Sequence, residues 1–326
     1  MALSRLLEII NLKTQFASAG KFVTAVDQVS LHVDTSEILC VVGESGCGKS
    51  AMALSIMGLI PPGTGRCEGQ IRFQGEDLLA KTGREMRAIR GQAIAMVYQE
   101  PMTAIDPVFT IGSQIMEAIL AHRRISRRQA AERTEHLLTL VGIPDAARRM
   151  GEYPHQLSGG MCQRAMIAMA LCCEPRLLIA DEPTTALDVT IQAQILDLIR
   201  RLQRELDMAI MFITHDLGVV AELADRVAVM YAGKVVEQAR AEDLFAHPMH
   251  PYTQGLLACI PCPGATGKLP TIEGMVPSPG RLPEGCHFQT RCPYAQDQCR
   301  RAEPTLLAVA EHQVACFLAT GKPGEG

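Results

Sequence analysis

Short apolar runs alternate with longer segments of helical periodicity through most of the chain. The run at residues 38–43 ends at a glycine, as a buried parallel strand does. A helical pattern follows from Lys49 to about Ile60, where a Pro-Pro-Gly sequence ends it. Four further runs predict strands at Ala93–Tyr98, Leu177–Ala180, Ala209–Ile213 and Val227–Tyr231. Helical patterns, such as those at 190–206 and 216–224, separate most of these runs. This alternation indicates an α/β core with a mainly parallel sheet.

Residues 110–142 interrupt this alternation with two successive helical patterns. The second begins at Ser126 and has Gln129 three residues later, which is the spacing of a capping box. Its apolar positions recur at helical spacing, with basic residues opposite. We therefore expect a helical subdomain, at about residues 101–160, inserted in the α/β core. After residue 250, proline, glycine and cysteine become more frequent and the periodicity fades, so we place a domain boundary there.

Composition narrows the class of protein. The 326 residues are 48% hydrophobic and 20% charged, an ordinary globular balance. The net charge of −4 gives no basic face, which argues against a nucleic-acid partner. No apolar run approaches the ~18 residues that a membrane span needs. The N-terminus carries Glu8 and lacks signal-peptide architecture, so we expect a cytosolic chain that reaches a membrane only through partners.

The loop after the first predicted strand has the sequence pattern G-x-x-x-x-G-K-S. It comprises Gly43, Glu44, Ser45, Gly46, Cys47, Gly48, Lys49 and Ser50. Glycines let successive N–H groups point at phosphate oxygens, and the following helix adds its positive N-terminal end. Lys49 is suited to the β- and γ-phosphates and the Ser50 hydroxyl to Mg²⁺. The strand–loop–helix context predicts nucleotide binding.

Two carboxylates end the apolar run at 177–180. Asp181 is expected to hold Mg²⁺, directly or through water, and Glu182 to polarise the attacking water as a general base. A strand that ends in Asp-Glu is common and is often only structural. Together with the phosphate loop it predicts a site of ATP hydrolysis.

A second glycine motif distinguishes this chain from other phosphate-loop proteins. Leu157-Ser158-Gly159-Gly160-Met161-Cys162-Gln163 resembles the signature L-S-G-G-x-x-Q of ABC ATPases. Ser158 is suited to cap the helix that follows, while Gly159 and Gly160 expose N–H groups to an anion. The resemblance implies the phosphate-loop fold of an ABC nucleotide-binding domain.

The other ABC motifs follow in order. Gln99 resembles the glutamine of the Q-loop, which ligates Mg²⁺ and senses the membrane partner. Ala186-Leu187-Asp188 resembles the D-loop, and His215 resembles the switch histidine that contacts the γ-phosphate. Either Phe16 or Phe22 is expected to stack on adenine, and spacing does not choose between them. The family resemblance covers residues 1–240 and implies a head-to-tail dimer in which each signature closes over the partner's phosphate loop.

Several segments resemble the dipeptide and oligopeptide importers, and in particular their dipeptide subunits of the D type. They are Tyr153–Gln156, Thr184–Thr190, His250–Thr253 and the Q-loop region Gln99–Pro107. That region departs from the family pattern at Ala104, Ile105 and Asp106, where a permease is expected to dock. The resemblance implies an ABC domain at 1–250, a C-terminal region of the peptide-transporter type at 251–326 and a peripheral position on the cytoplasmic face of the inner membrane. It also implies a second ATPase, two permeases and an extracytoplasmic peptide-binding protein as partners.

Four of the twelve cysteines are clustered near the C-terminus. Cys286, Cys292, Cys299 and Cys316 have the spacing C-x₅-C-x₆-C-x₁₆-C. Four thiolates suit an iron–sulfur cluster or zinc, and gaps longer than those of zinc sites favour a cluster. The surrounding sequence also resembles the tail of peptide-importer ATPases, which implies a [4Fe–4S] cluster. Four reduced thiols without a metal are the alternative.

Three alternatives remain for the function. The same motor could serve nickel or another small solute, because relatives in this branch do so. A soluble ABC ATPase acting on DNA or ribosomes would be expected to have a long coiled-coil insertion or two fused cassettes, and the sequence has neither. A regulatory nucleotide switch would bind no permease.

Overall fold

The structure, a computed structural model, describes residues 5–185, 187–260 and 271–320. In these ranges the strands are β1 (Arg5–Ser18), β2 (Lys21–Asp34), β3 (Ile38–Val42), β4 (Gly65–Phe73), β5 (Glu76–Asp77), β6 (Ile94–Val97), β7 (Leu177–Asp181), β8 (Ala209–Thr214), β9 (Arg226–Tyr231), β10 (Lys234–Arg240), β11 (Leu307–Val309) and β12 (His312–Val314). The helices are α1 (Lys49–Ile56), α2 (Gly83–Ile89), α3 (Pro101–Ala104), α4 (Ile111–His122), α5 (Arg127–Leu140), α6 (Ala146–Arg149), α7 (Gly159–Leu171), α8 (Val189–Leu206), α9 (Leu217–Leu223), α10 (Ala241–Ala246), α11 (Pro251–Ala258), α12 (Asp297–Arg301) and α13 (Phe317–Thr320).

The chain forms two compact units. Among the described residues, the middle unit comprises Ala80–Phe212, and the terminal unit comprises Arg5–Leu79 and the residues from Ile213. The chain passes from the middle unit back to the terminal unit within β8. All five strands predicted from the apolar runs are present. The helix after the phosphate loop ends at Ile56, earlier than expected, because Leu59 donates to the Leu54 carbonyl and closes the last turn.

The terminal unit contains two sheets. One is antiparallel, in the order β2-β1-β4-β5. The other has the order β11-β12-β10-β9-β3 within this unit, and β3 and β9 run parallel with Val42 opposite Val229. Every residue of β3 is buried, as its uninterrupted apolar sequence requires. The last strands of the chain belong to the second sheet, because β12 pairs with β10 at Glu237 and Val314.

The middle unit combines strands in the order β8-β7-β6 with a group of helices. β6 and β7 are parallel, and Val97 lies opposite Ala180. From Pro101 to the residue before α7, the chain forms only helices and turns. The predicted capping box is confirmed, since Ser126 and Gln129 each accept the other's backbone N–H, at 3.2 and 2.9 Å. Across the ranges that the structure describes, no helix is both long and apolar enough to cross a membrane.

A buried carboxylate joins three parts of the terminal unit. Glu237, on β10, is fully buried and accepts the backbone N–H groups of Met249 and His250 at 2.8 and 2.9 Å. The Nδ1 atom of His312, on β12, lies 2.9 Å from the same carboxylate. The two oxygens of Glu237 therefore link β12 and the turn before α11 to β10.

Replacing Glu237 with leucine is expected to lower the free energy of unfolding by about 3 kcal/mol, because it leaves buried donors without an acceptor. Urea unfolding of the full chain measures this loss. Glu311→Leu is the control, because Glu311 is exposed and adjacent to His312. Equal stability of the two variants would contradict the role given to Glu237.

Candidate active site

The loop between β3 and α1 packs its backbone directly against other backbone atoms. A Cβ atom at Gly43 would lie 2.2 Å from the Met230 carbonyl oxygen, and one at Gly48 would lie 2.3 Å from that of Ala25. Gly48 also has a φ of +107°, which side chains disfavour. The two glycines of the motif are therefore required by space as well as by conformation.

Lys49 is the first residue of α1, and its side chain turns back along the loop. The residue is 5% exposed, and its Nζ atom donates to the carbonyl oxygens of Gly43 at 2.7 Å and Glu44 at 3.1 Å. Ser50 follows in the first turn and is exposed. The loop thus presents an ammonium, a hydroxyl and a helix N-terminus together, which suits a polyphosphate.

Glu44 is held by two residues from much later in the chain. Its backbone N–H donates to the Tyr252 hydroxyl at 2.9 Å. Its carboxylate accepts two hydrogen bonds from Arg291, at 2.6 and 3.0 Å. His250 caps the helix that carries Tyr252, because its Nδ1 atom accepts the Tyr252 N–H at 3.0 Å. Burial lowers the pKa of His250 to about 3, so the ring stays neutral and keeps this acceptor.

The ends of β6 and β7 bring two predicted site residues together. Val97 pairs with Ala180, so residues two positions further on, Gln99 and Glu182, lie side by side. The Gln99 amide donates to Glu182 Oε2 at 3.1 Å, and the Thr185 hydroxyl donates to the same oxygen at 2.9 Å. Two donors therefore orient the Glu182 carboxylate, and Thr185 is a contact that the sequence motifs did not predict.

Asp181 ends β7 and is 6% exposed. The residues expected to hold Mg²⁺ offer a carboxylate on Asp181, an amide oxygen on Gln99 and a hydroxyl on Ser50. These are hard oxygen ligands of the kind that Mg²⁺ prefers, so the donor set fits the ion. Asp181 and Gln99 belong to the middle unit, and Ser50 belongs to the terminal unit.

The signature segment forms a capped helix start. Ser158 precedes α7, and its side chain accepts the Met161 N–H at 3.3 Å. Ser158 and Gly159 are exposed, while most of α7 beyond them is buried. The segment therefore exposes the start of a helix, the kind of position at which an anion can bind.

Two other motif residues lie at the starts of helices. Asp188 caps α8 by accepting the Ile191 N–H at 2.9 Å. Ala186, part of the same predicted motif, lies outside the described residues. His215 is exposed and directly follows β8. Asp216, the next residue, caps α9.

The two candidate aromatic residues lie on opposite faces of the β1–β2 hairpin. Phe16 is two residues from Thr14, whose hydroxyl lies 2.7 Å from that of Ser55 on α1, so Phe16 is on the face that packs on α1. Phe22 pairs with Ala17 on the other face, where the Arg66 guanidinium covers its ring at 4.3 Å.

The four C-terminal cysteines line a single small cavity. All four are free thiols of intermediate exposure, and Phe288 and Pro304 are also in its wall. Burial raises the pKa of Cys286 to about 11 and raises those of Cys292 and Cys316. Neighbouring cysteines in the group add to each increase. No three His, Cys, Asp or Glu side chains among the described residues are arranged to hold a metal ion.

Comparison with known proteins identifies the family. Residues 26–185 match the ABC transporter family, and residues 236–299 match the oligopeptide/dipeptide transporter C-terminal region. The chain is 50% identical to the oligopeptide transport ATP-binding protein AppD of Bacillus subtilis (strain 168) over 319 residues, 97% of each chain. The chain belongs to the ABC transporter ATP-binding subunits of the oligopeptide and dipeptide importer family. It is an ATPase of that family.

Two further comparisons agree with this membership. The dipeptide transport ATP-binding protein DppD of Bacillus subtilis (strain 168) is 49% identical over 97% of this chain and 95% of its own. The dimeric ATP-binding cassette MJ0796 bound to ADP and phosphate matches with a TM-score of 0.65 and 26% identity, over 72% of this chain and 98% of its own. The expected phosphate-loop α/β fold of an ABC ATPase is confirmed.

The phosphate loop of this ABC subunit contains a cysteine that we expect to react slowly. Cys47 is fully buried, and burial raises the pKa of its thiol, an effect that Lys49 only partly offsets. Because the thiolate is the nucleophile, a raised pKa lowers the reactive fraction at neutral pH, and the reaction rate rises with pH.

Iodoacetamide treatment of the native chain at pH 7.5, followed by peptide mass spectrometry, measures this rate. Cys67, which is partly exposed, is the comparison and is expected to react faster. Alkylation of Cys47 at the same rate would contradict its burial.

Proposed function

We propose that this chain is the ATP-hydrolysing motor subunit of a peptide importer. The observation that carries this proposal is the oriented carboxylate of Glu182, held by Gln99 and Thr185. A carboxylate that is oriented in this way suits an ATPase that positions a water molecule. The substrate class is supported by the names of the relatives, which are peptide transport proteins at about half identity over nearly the whole chain.

Each site residue has a proposed part in the reaction. The backbone of residues 43–50 and the Lys49 ammonium bind the β- and γ-phosphates. Glu182 accepts a proton from the attacking water, and Gln99 keeps its carboxylate in position. His215 contacts the γ-phosphate. Ser50, Gln99 and Asp181 would hold Mg²⁺, which would neutralise charge on the phosphates.

We assign adenine stacking to Phe16 rather than Phe22. Phe16 lies on the face of β1 that packs on α1, the helix that begins at the phosphate loop. Phe22 already has the Arg66 guanidinium over its ring. A base stacked on the Phe16 ring is therefore compatible with phosphates bound at the start of α1.

The exposed signature supports a proposed assembly with other subunits. Ser158, Gly159 and Gly160 would bind the nucleotide of a second ATPase subunit, a paralogue of this chain, in a head-to-tail dimer. Two permeases would contact the Q-loop region and the two residues that follow it, where Met102, Val108 and Phe109 are exposed apolar side chains. A peptide-binding protein outside the membrane would deliver the substrate. In this proposal the subunit would lie peripherally on the cytoplasmic face of the inner membrane. The proposed division is an ABC domain at 1–250, with its helical subdomain at about 101–160, and a C-terminal region at 251–326.

We also propose that Cys286, Cys292, Cys299 and Cys316 hold a [4Fe–4S] cluster. Their shared cavity supports this assignment, as does a soft thiol donor set. A four-iron cluster binds each cysteine at a different iron, so its sulfurs stand farther apart than around one zinc ion.

Glu182→Gln is expected to retain MgATP binding and to slow ATP hydrolysis by about 10²- to 10⁴-fold, because it removes only the general base. Phosphate release by the assembled transporter and nucleotide binding by the purified chain measure the two effects. Lys49→Ala is expected to lose binding, and Glu222→Gln, at an exposed site, is the control. Hydrolysis that survives in Glu182→Gln would contradict the assignment.

The chain purified without oxygen is expected to contain about four iron and four sulfide ions, with broad visible absorption. Cys292→Ser should lose this absorption, and Cys259→Ser, outside the cavity, should keep it. Metal analysis and the visible spectrum measure both. Zinc in place of iron would contradict the assignment of a cluster. A metal-free chain would also contradict it, because the four cysteines would then be reduced thiols.

A further inference from the structure

The phosphate loop is joined to the C-terminal region through one residue, Glu44. Tyr252 binds its backbone N–H, and Arg291 binds its carboxylate with two hydrogen bonds. Both partners lie within residues 236–299, the segment that matches the oligopeptide/dipeptide transporter C-terminal family. The contact therefore joins the region found in peptide importers to a loop common to all phosphate-loop ATPases.

Arg291 is itself held rigidly. Its side chain is 3% exposed, and its Nε atom donates to the Glu273 carbonyl oxygen at 2.9 Å. One terminal nitrogen also donates to the Ile272 carbonyl oxygen at 3.2 Å, and the guanidinium lies 5.8 Å from the centre of the Tyr231 ring. Because these contacts fix the planar guanidinium, its two terminal nitrogens determine where the Glu44 carboxylate can lie.

The contact continues from Glu44 to the phosphate-binding lysine. Lys49 donates to the carbonyl oxygens of Glu44 and of its neighbour Gly43. A displacement of Glu44 would therefore move the acceptors that hold the Lys49 ammonium. At its other end, Arg291 directly precedes Cys292, and both residues donate their backbone N–H to the Phe288 carbonyl oxygen. The cysteine cavity and Lys49 are thus connected through a short series of contacts, in which the Arg291 side chain is buried and Glu44 is partly exposed.

We propose that Arg291 is a positioning residue of the nucleotide site, through which the four-cysteine segment sets the affinity for ATP. The inference rests on the proposed role of the phosphate loop in binding ATP. Arg291 keeps the loop in the shape that receives phosphate, so that less ordering is required when the nucleotide binds. Without Arg291, the Glu44 carboxylate loses its two hydrogen bonds, and we expect the loop to move more at this residue.

A double-mutant cycle on the dissociation constant of MgATP tests the contact in the full chain. Arg291→Met and Glu44→Gln are each expected to weaken binding about tenfold. The double variant is expected to bind no more weakly than Arg291→Met alone, because both changes remove the same contact. Arg291→Lys should recover part of the affinity, since it restores the charge but not the fork.

Arg300→Met is the matched control, because Arg300 also adjoins a cluster cysteine, Cys299, but is exposed. It should bind MgATP like the wild type. Additive effects in the double variant would overturn the inference, as would wild-type affinity in Arg291→Met. Failure of the proposed function would look different: the wild-type chain itself would not bind MgATP, or Lys49→Ala would bind it normally.

A second arm tests the connection to the cysteines. Cys292→Ser is expected to weaken MgATP binding severalfold in the wild-type background and to have no further effect in Arg291→Met. The temperature of unfolding, measured for every variant, identifies any that fail to fold. An unchanged affinity in folded Cys292→Ser, or the same loss in both backgrounds, would show that the cysteine segment does not act through Arg291.

Discussion

The close approach of backbone to backbone at the phosphate loop constrains the terminal unit. Gly43 lies against the end of β9 and Gly48 against β2, with no room for a Cβ atom at either position. The parallel register of β3 and β9 fixes the first contact, and the long β1–β2 hairpin supplies the second. The two glycines at the ends of the loop are therefore held by surrounding strands before any ligand is present, and Glu44 between them is held by Tyr252 and Arg291.

The sequence predicted those features whose causes are local. Apolar strands, the capping box at Ser126 and the glycine pattern of the phosphate loop each depend on neighbouring residues. The contact between Gln99 and Glu182 is not local. It follows from two parallel strands whose ends are aligned, so the contact could be derived only once the register of β6 and β7 was known.

Features that depend on distant contacts were not predicted. The side chains of Glu44 and Arg291 meet although 247 positions separate them, and neither residue has an unusual sequence context that would indicate a partner. The strands β1 and β2 were also missed, because mixed burial along them obscures the alternation of apolar residues. For the cysteines, spacing predicted that they converge, but spacing does not determine which metal they bind. The faces of the hairpin favoured Phe16 over Phe22 only once the β-strand register was known.

We propose that ATP hydrolysis by this chain drives peptide import, and uptake by sealed membrane vesicles measures this coupling. Vesicles that contain the complete transporter and its binding protein would be given a labelled dipeptide, with MgATP on the side of this subunit. We expect peptide accumulation that requires hydrolysable ATP and is absent with a non-hydrolysable analogue. Accumulation of nickel or another solute without peptide, or peptide uptake that does not depend on ATP, would contradict it.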